Sequence, residues 1–325
     1  MSRIEAARAV AARYRGVIGT AILGKLYSGF YADKLLRHFS PSCSGISCTY
    51  YNNIRAVGFG RKHVFPEQRV SPIVIGHHQD LSFYQVRGKP ENADSEISMP
   101  YLKEYLLIPT KTGKLVFVSD DHTHAAFAWA LAKETGIIGE NAVLIHIDSH
   151  PDHDPCRASS RGLKGFPLSL KEIASITWEE VEICNFIDFG QRIGAIDPHA
   201  LFYFIHPFFN GRGIETKKFY SDSDNNYTSS CLDLTELSLE KYREAIDKSR
   251  REGKPVVLDL DLDFFCPHYN HPEDPKYNKE ADIERIIEIA RQADFITIAT
   301  SPSYFLVPNQ QQETRHLIQR IVSSL

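Results

Sequence analysis

The chain has 325 residues, 42% of them hydrophobic, enough to bury a large core in one α/β domain or in two smaller ones. Its 37 Lys and Arg against 41 Asp and Glu leave a formal charge of -4, so no global basic field exists to draw nucleic acid or an anionic membrane surface. Six cysteines without a CxxC pair, only Cys43 and Cys48 lying close together, argue against a zinc knuckle or a disulfide framework and fit a reducing cytoplasm.

The opening stretch, MSRIEAARAVAARYRGVIGTAILGKLY, is broken by charges at Arg3, Glu5, Arg8, Arg13, Arg15 and Lys25, and no apolar run reaches the ~18 residues of a membrane span. AARAVAARYRGVIGTAI reads as helix, SCSGISCTYYNN as loop, and SPIVIGHHQDLSFYQVRG as strand and turn. No linker detaches residues 1–100 and no internal repeat is present, so 1–325 is expected to form a single α/β domain.

From about residue 114, short apolar runs alternate with amphipathic ones. KLVFVSDD (114–121) reads as a strand, and THAAFAWALAKETG (123–136) as a helix ended by Gly136. NAVLIHID (141–148), VEICNFIDFG (181–190) and HALFYFIHP (199–207) read as further strands, and the polar TKKFYSDSDNNYTSS (216–230) as a surface loop. SLEKYREAIDKSRREG (238–253) has a serine start, helical spacing and a glycine stop. The strand KPVVLDLDLDFF (254–265) follows, and EADIERIIEIARQA (280–293), ITIATSP (296–302) and NQQQETRHLIQRIVSSL continue the alternation. The pattern predicts a mostly parallel sheet with helices on both faces, a three-layer α/β sandwich.

Three of these strands end in bursts of carboxylates and histidines. They are Asp120-Asp121-His122-Thr123-His124, Asp148-Ser149-His150-Pro151-Asp152-His153-Asp154, and Asp259-Leu260-Asp261-Leu262-Asp263. In open parallel sheets the ligand crevice lies beyond the carboxyl ends of the strands, so the bursts are expected to converge. Period-two alternation aims Asp259, Asp261 and Asp263 one way, and does the same for Asp148, His150 and Asp152 if the chain stays extended to Pro151. A single strand-end DxD is often a solvated turn, and Asp121 reads equally well as a helix cap. Three bursts together would cost many kcal/mol in desolvation and repulsion unless cations neutralised them. Oxygen-rich ligation with imidazole suits Mn²⁺, with Fe²⁺, Co²⁺ or catalytic Zn²⁺ as alternatives. Two ions about 3.5–4 Å apart would share bridging aspartates and polarise a water.

At these residues the chain resembles the ureohydrolase superfamily, which contains arginase and agmatinase and shares its fold with histone deacetylases. The family's D-A-H-x-D motif is similar to Asp148-Ser149-His150-Pro151-Asp152, and its G-D-H-S to Asp120-Asp121-His122-Thr123. Its S-x-D-x-D-x-x-D-P is similar to the run from Asp259 to Pro267, with Asp259 in the serine's place. The resemblance covers roughly 114–306 and implies an arginase/deacetylase-like fold and two Mn²⁺ held by His122, Asp148, His150, Asp152, Asp261 and Asp263. VEICNFIDFG, FIHP and ITIATSPSYF resemble a branch that includes bacterial peptide arginases, implying conversion of arginine to ornithine and urea within a precursor peptide, and hence an arginine-containing peptide or protein as partner.

Beyond Asp259, the chain departs from that pattern in three further places. Ala299 stands where family arginases carry a guanidinium-binding glutamate, no histidine lies between Pro155 and Pro198 to match their proton shuttle, and Asp154 replaces a substrate-contacting asparagine. Asp154 is then the candidate for the missing negative charge, and His124 and His153 are candidates for the shuttle. The rival expectations are a deacetylase-like metal amidohydrolase and a module that holds metal without turnover.

Overall fold

The computed structural model describes residues 73–90, 95–150, 152, 156, 168–205, 230–232, 243, 246–266 and 279–325. The expected N-terminal helix and loop, and the polar loop at 216–229, lie outside these residues. In chain order the strands are β1 (Ile73–Ile75), β2 (Phe83–Gly88), β3 (Ile97–Leu102), β4 (Tyr105–Pro109), β5 (Leu115–Ser119), β6 (Ala142–Asp148), β7 (Ile196–Ile205), β8 (Ser230–Leu232), β9 (Val256–Asp261) and β10 (Phe295–Ala299). The helices are α1 (His124–Glu134), α2 (Leu170–Glu179), α3 (Phe186–Arg192), α4 (Lys279–Gln292) and α5 (Gln310–Ser323). Of the helix expected at 238–253, residues 243 and 246–251 are helical.

Eight strands form one sheet in the order β1-β4-β5-β10-β9-β6-β7-β8, and β2 and β3 pair separately as an antiparallel ribbon. Every neighbouring pair in the large sheet is parallel except β4 with β5. β5, β6, β9 and β10 are buried along their whole length, as strands covered on both faces must be. The crossover from β5 through α1 to β6 runs one way across the sheet, and that from β9 through α4 to β10 runs the other. Right-handed crossovers in opposite directions put their helices on opposite faces. Hence α1, α2 and α3, which pack together, form one layer, and α4 with α5 forms the other. The expected mostly parallel, three-layer α/β architecture is the one observed. No described helix is long and apolar enough to cross a membrane.

Upstream of β5, Ile73–Ile75 and Tyr105–Pro109 belong to the same sheet, since β1 and β4 extend it beyond β5. The ribbon is tied to the strand edge by the Leu102 N–H, which donates to both carboxylate oxygens of Asp120 at 3.0 and 2.9 Å.

Two local expectations are corrected. The segment at 181–190 is not a strand: Phe186–Arg192 is helical, entered through a turn at 183–185. Its buried Phe186, Ile187, Phe189 and Gly190 follow helical spacing, and so short an apolar run does not distinguish the two periods by itself. Extended alternation also stops early. β9 ends at Asp261, Leu262–Phe265 is a 3-10 turn that carries Asp263, and the chain after Asp148 bends at 149–150. Asp263 and His150 therefore reach the site by turning, not by strand alternation.

α1 is buried from His124 to Ala132 because the sheet lies on one side and α2 and α3 on the other. Its alanines permit that close approach, and Gly190 of α3 completes it: a Cβ there would lie 2.7 Å from the Trp129 ring. Gly190→Ala should therefore overpack this contact and lower the unfolding free energy by about 1–3 kcal/mol. The check is a fall in the urea midpoint at unchanged m value; an unchanged midpoint would contradict the packing.

Candidate metal centre

Because β5, β10, β9 and β6 are adjacent and parallel, their carboxyl ends share one edge of the sheet. His122 sits in the turn between β5 and α1. That turn is shaped by Asp121, whose Oδ1 accepts from the Thr123 N–H (2.9 Å) and hydroxyl (2.7 Å), an Asx turn that fixes the chain just ahead of the helix. The His122 ring is fully buried, stacked on His146 at 5.3 Å and packed on Phe186 at 4.5 Å.

His122 Nδ1 points into a group of carboxylates. It lies 3.1 Å from Asp148 Oδ2, 3.1 Å from Asp261 Oδ2 and 3.4 Å from Asp152 Oδ2. On the far side of Asp148, His150 Nδ1 lies 3.4 Å from Asp148 Oδ1 and 3.1 Å from Asp263 Oδ2. Asp148 thus gives one oxygen to each histidine, and the six expected ligands form two sets that share it. Asp148, His150 and Asp263 are close enough to hold one ion, and so are His122, His146 and Asp148.

These residues fit divalent cations. His122 Nδ1 and Asp148 Oδ2 are both buried and make no hydrogen bond although 3.1 Å apart. Such groups are normally satisfied, and a cation between them would satisfy both.

The carboxylate oxygens are held from behind. The Ser301 hydroxyl donates to Asp261 Oδ2 at 2.5 Å, and the Asp263 N–H donates to Asp261 Oδ1 at 2.9 Å. The His150 N–H donates to Asp148 Oδ1 at 2.8 Å, and the Ser149 N–H to Asp263 Oδ1 at 3.3 Å. Ser301 and Asp152 both have left-handed backbones, φ 40° and 43°. For non-glycine residues this is strain of the kind that concentrates at functional sites.

The electrostatics follow from burial. Burial, then Asp148, push the Asp152 carboxyl up to about 7, and burial with Asp261 and Asp148 raises Asp263 well above the usual carboxylate range. Burial pulls His122 and His150 down, but the carboxylates outweigh it and raise both well above 6.5. Metal-free, the cluster stores protons on its imidazoles and carboxyls. Of the six candidate ligands only His150 is not buried; its side chain is 28% exposed, with Tyr304 edge-on at 5.9 Å.

The catalytic candidates fare differently. His153 and Asp154 lie outside the described residues. His124 is buried, stacked on Trp178 at 4.4 Å and tilted against Tyr105 at 5.0 Å, the setting of a packed core ring. Asp120 is also buried and structural: it accepts from Leu102 and from the Thr300 hydroxyl (2.8 Å), and burial lifts it to about 7. Ala299 pairs in register with Ser119 and Asp261, so β10 brings no carboxylate to the edge.

Sequence reasoning missed His146 and Ser301. The alternation that places Asp148 at the site places His146, two residues earlier on β6, on the same face. Ser301 carried no signal beyond its place after a strand end.

No protein-family model and no curated protein matches the sequence. Among solved structures the chain is similar to an arginase from Bacillus caldovelox at 14% identity and a TM-score of 0.41, covering 68% of this chain and 69% of that one. It is similar to a formimidoylglutamase from Bacillus subtilis at 12% identity and a TM-score of 0.41, covering 68% and 61%. A proclavaminate amidino hydrolase from Streptomyces clavuligerus gives 15% identity and a TM-score of 0.35, covering 64% of each chain. The chain therefore spans less than two thirds of the length of the latter two.

Ligands that hold protons must release them to bind a cation. Because His122, His150, Asp152 and Asp263 are all raised, they are protonated at low pH and yield their protons as pH rises. Mn²⁺ affinity should accordingly increase from pH 6 to pH 8, with net proton release. Calorimetry in two buffers of different ionisation enthalpy reads this directly, and pH-independent binding without proton release would contradict the site.

Proposed function

We propose that this protein is a binuclear metal-dependent ureohydrolase that cleaves a guanidinium C–N bond, converting arginine within a peptide to ornithine with release of urea. The observation that carries the reading is the pair of imidazole–carboxylate sets sharing Asp148 at the carboxyl edge of the sheet. His122, Asp148, Asp152 and Asp261 would hold one ion and His150, Asp148 and Asp263 the other, with Mn²⁺ the preferred metal. When bound, two such ions supply Lewis-acid polarisation of a water and of the carbon it attacks.

The chain's own residues do the rest. The dry floor formed by Phe186 and the buried ligands excludes bulk water on the protein side, and His150 marks the face through which substrate approaches. Ala299 leaves the end of β10 uncharged, so the anionic partner for a guanidinium has to come from elsewhere, and Asp154 is the residue we assign to it. His153, next to the ligand Asp152, is retained as the proton carrier to the leaving amine; His124 is enclosed by aromatic rings. A peptide is preferred over free arginine because the asparagine that begins the grip on a free amino acid is replaced by Asp154. We place the protein in the cytoplasm, where its few, scattered cysteines suit a reducing environment.

The missing carboxylate at Ala299 specifically favours one rival, a deacetylase-like attack on a neutral amide. Urea release from an arginine peptide with blocked termini, measured beside amine release from an acetyl-lysine peptide, separates the two, and absence of both would leave a metal-holding module. The expected result is urea only, with kcat/KM for the peptide above that for free arginine. Equal or better turnover of the free amino acid would overturn the peptide assignment.

Within the centre, Asp261→Ala and Asp263→Ala should each abolish metal-dependent turnover and reduce bound metal below the two ions per chain expected of the unmodified protein. His153→Ala should instead lower kcat by about 10²-fold or more with metal content unchanged, the size of a lost acid–base group. A His153→Ala variant with full activity would remove it from the mechanism.

A further inference from the structure

One buried carboxylate at the centre is not among the six ligands. Asp259 is fully buried on β9, and its Oδ2 accepts two hydrogen bonds of 2.8 Å, one from His122 Nε2 and one from His146 Nδ1. Its Oδ1 accepts from the Thr297 hydroxyl at 2.6 Å, and Thr297 in turn accepts from Trp129 Nε1 at 3.2 Å. The carboxylate is therefore fixed from β10 and α1 before it meets either imidazole. The other ring nitrogen of His146 also faces oxygen: Nε2 lies 3.2 Å from the His150 carbonyl and 3.3 Å from Asp148 Oδ2. A carbonyl can only accept, so His146 presents an N–H at both ends.

From this arrangement we propose that Asp259 and His146 are a positioning pair that aims the histidine ligands of both metal sites. Asp259 accepts from His122 Nε2–H, which turns Nδ1 of that ring toward Asp148, Asp152 and Asp261, where it can take a cation in exchange for its proton. His146 transmits the same anchor to the second site by gripping the His150 backbone, whose N–H is already committed to Asp148. The two residues also require each other. A fifth aspartate among Asp148, Asp152, Asp261 and Asp263 would be a further buried negative charge, and an imidazole with two N–H groups is the cation that offsets it.

This proposal rests on the binuclear metal reading, and its test separates the two. Mn²⁺ binding to the full chain is titrated by calorimetry for the unmodified protein, Asp259→Asn, His146→Phe, His146→Gln and the double variant Asp259→Asn/His146→Phe, each confirmed as folded by circular dichroism. Asp259→Asn and His146→Phe should each weaken binding about 10–100-fold, the range for partners of metal-ligating histidines. His146→Gln, which keeps two N–H donors, should recover part of that loss, a rescue that a space-filling role would not produce. The double variant should fall short of the product of the two single losses, because the two residues share the His146–Asp259 contact. A second readout needs no variant: long-range ¹H–¹⁵N NMR of the Zn²⁺-loaded protein should show His122 as the Nε2–H tautomer. Unchanged affinity in either folded single variant, losses that multiply in the double variant, or the opposite tautomer overturns the proposal alone. An unmodified chain that binds no divalent ion takes down the metal centre and this proposal together.

Discussion

Five aspartates, Asp148, Asp152, Asp259, Asp261 and Asp263, are buried within one edge of the sheet, where water cannot screen them from one another. Each isolated carboxylate in such a setting costs several kcal/mol to ionise, and the cost rises with every neighbour of the same sign. Three histidines, His122, His146 and His150, are drawn into the cluster by that field and kept protonated by it in the metal-free chain. Other features at this edge act as further compensation. Hydroxyls of Thr297 and Ser301 and backbone N–H groups of Ser149, His150 and Asp263 all donate into the same set of oxygens.

The strand order makes such concentration possible. Chain segments far apart in sequence end side by side because β10 inserts between β5 and β9, and β9 lies against β6. Two crossovers running in opposite directions leave a crevice above the strands between them, the usual place for a ligand in an open parallel sheet. β10 has a special position there. It contributes no carboxylate, yet Thr297 on the strand and Thr300 and Ser301 just past its end each donate to one carboxylate of a neighbouring segment, Asp259, Asp120 and Asp261 respectively. It serves as a rail of donors between two acidic strands.

Much of this was legible in the sequence, for reasons that differ by element. The strands β5, β6 and β9 are unbroken apolar runs followed by charge, a contrast that survives without any structural context. Gly136, with φ 75°, marked the end of α1 because a left-handed stop favours glycine. Phe186–Arg192 was misread because its aromatic residues satisfy strand and helix patterns alike over so few positions, and only Trp129 packed against Gly190 reveals the helical choice. The residues that gather at this edge were legible, but their geometry was not. Asp263 and His150 reach the centre through a 3-10 turn and a bend, and neither is encoded by periodicity.

His146 shows how a chemically important residue stays hidden. On a strand of seven buried residues it stands among Leu144, Ile145 and Ile147, and a lone histidine in such a run reads as core. What changes its meaning is a contact across β6 and β9, where His146 and Asp259 are partners in register. Neither residue alone is stable in that layer, since an unpaired buried charge of either sign is strongly destabilising. Together they place a cation beside Asp148 and an acceptor behind His122. The aspartate at position 259 is thus tolerable because of the histidine one strand away. The pair is a cross-strand unit that gives the centre its orientation before any ion arrives.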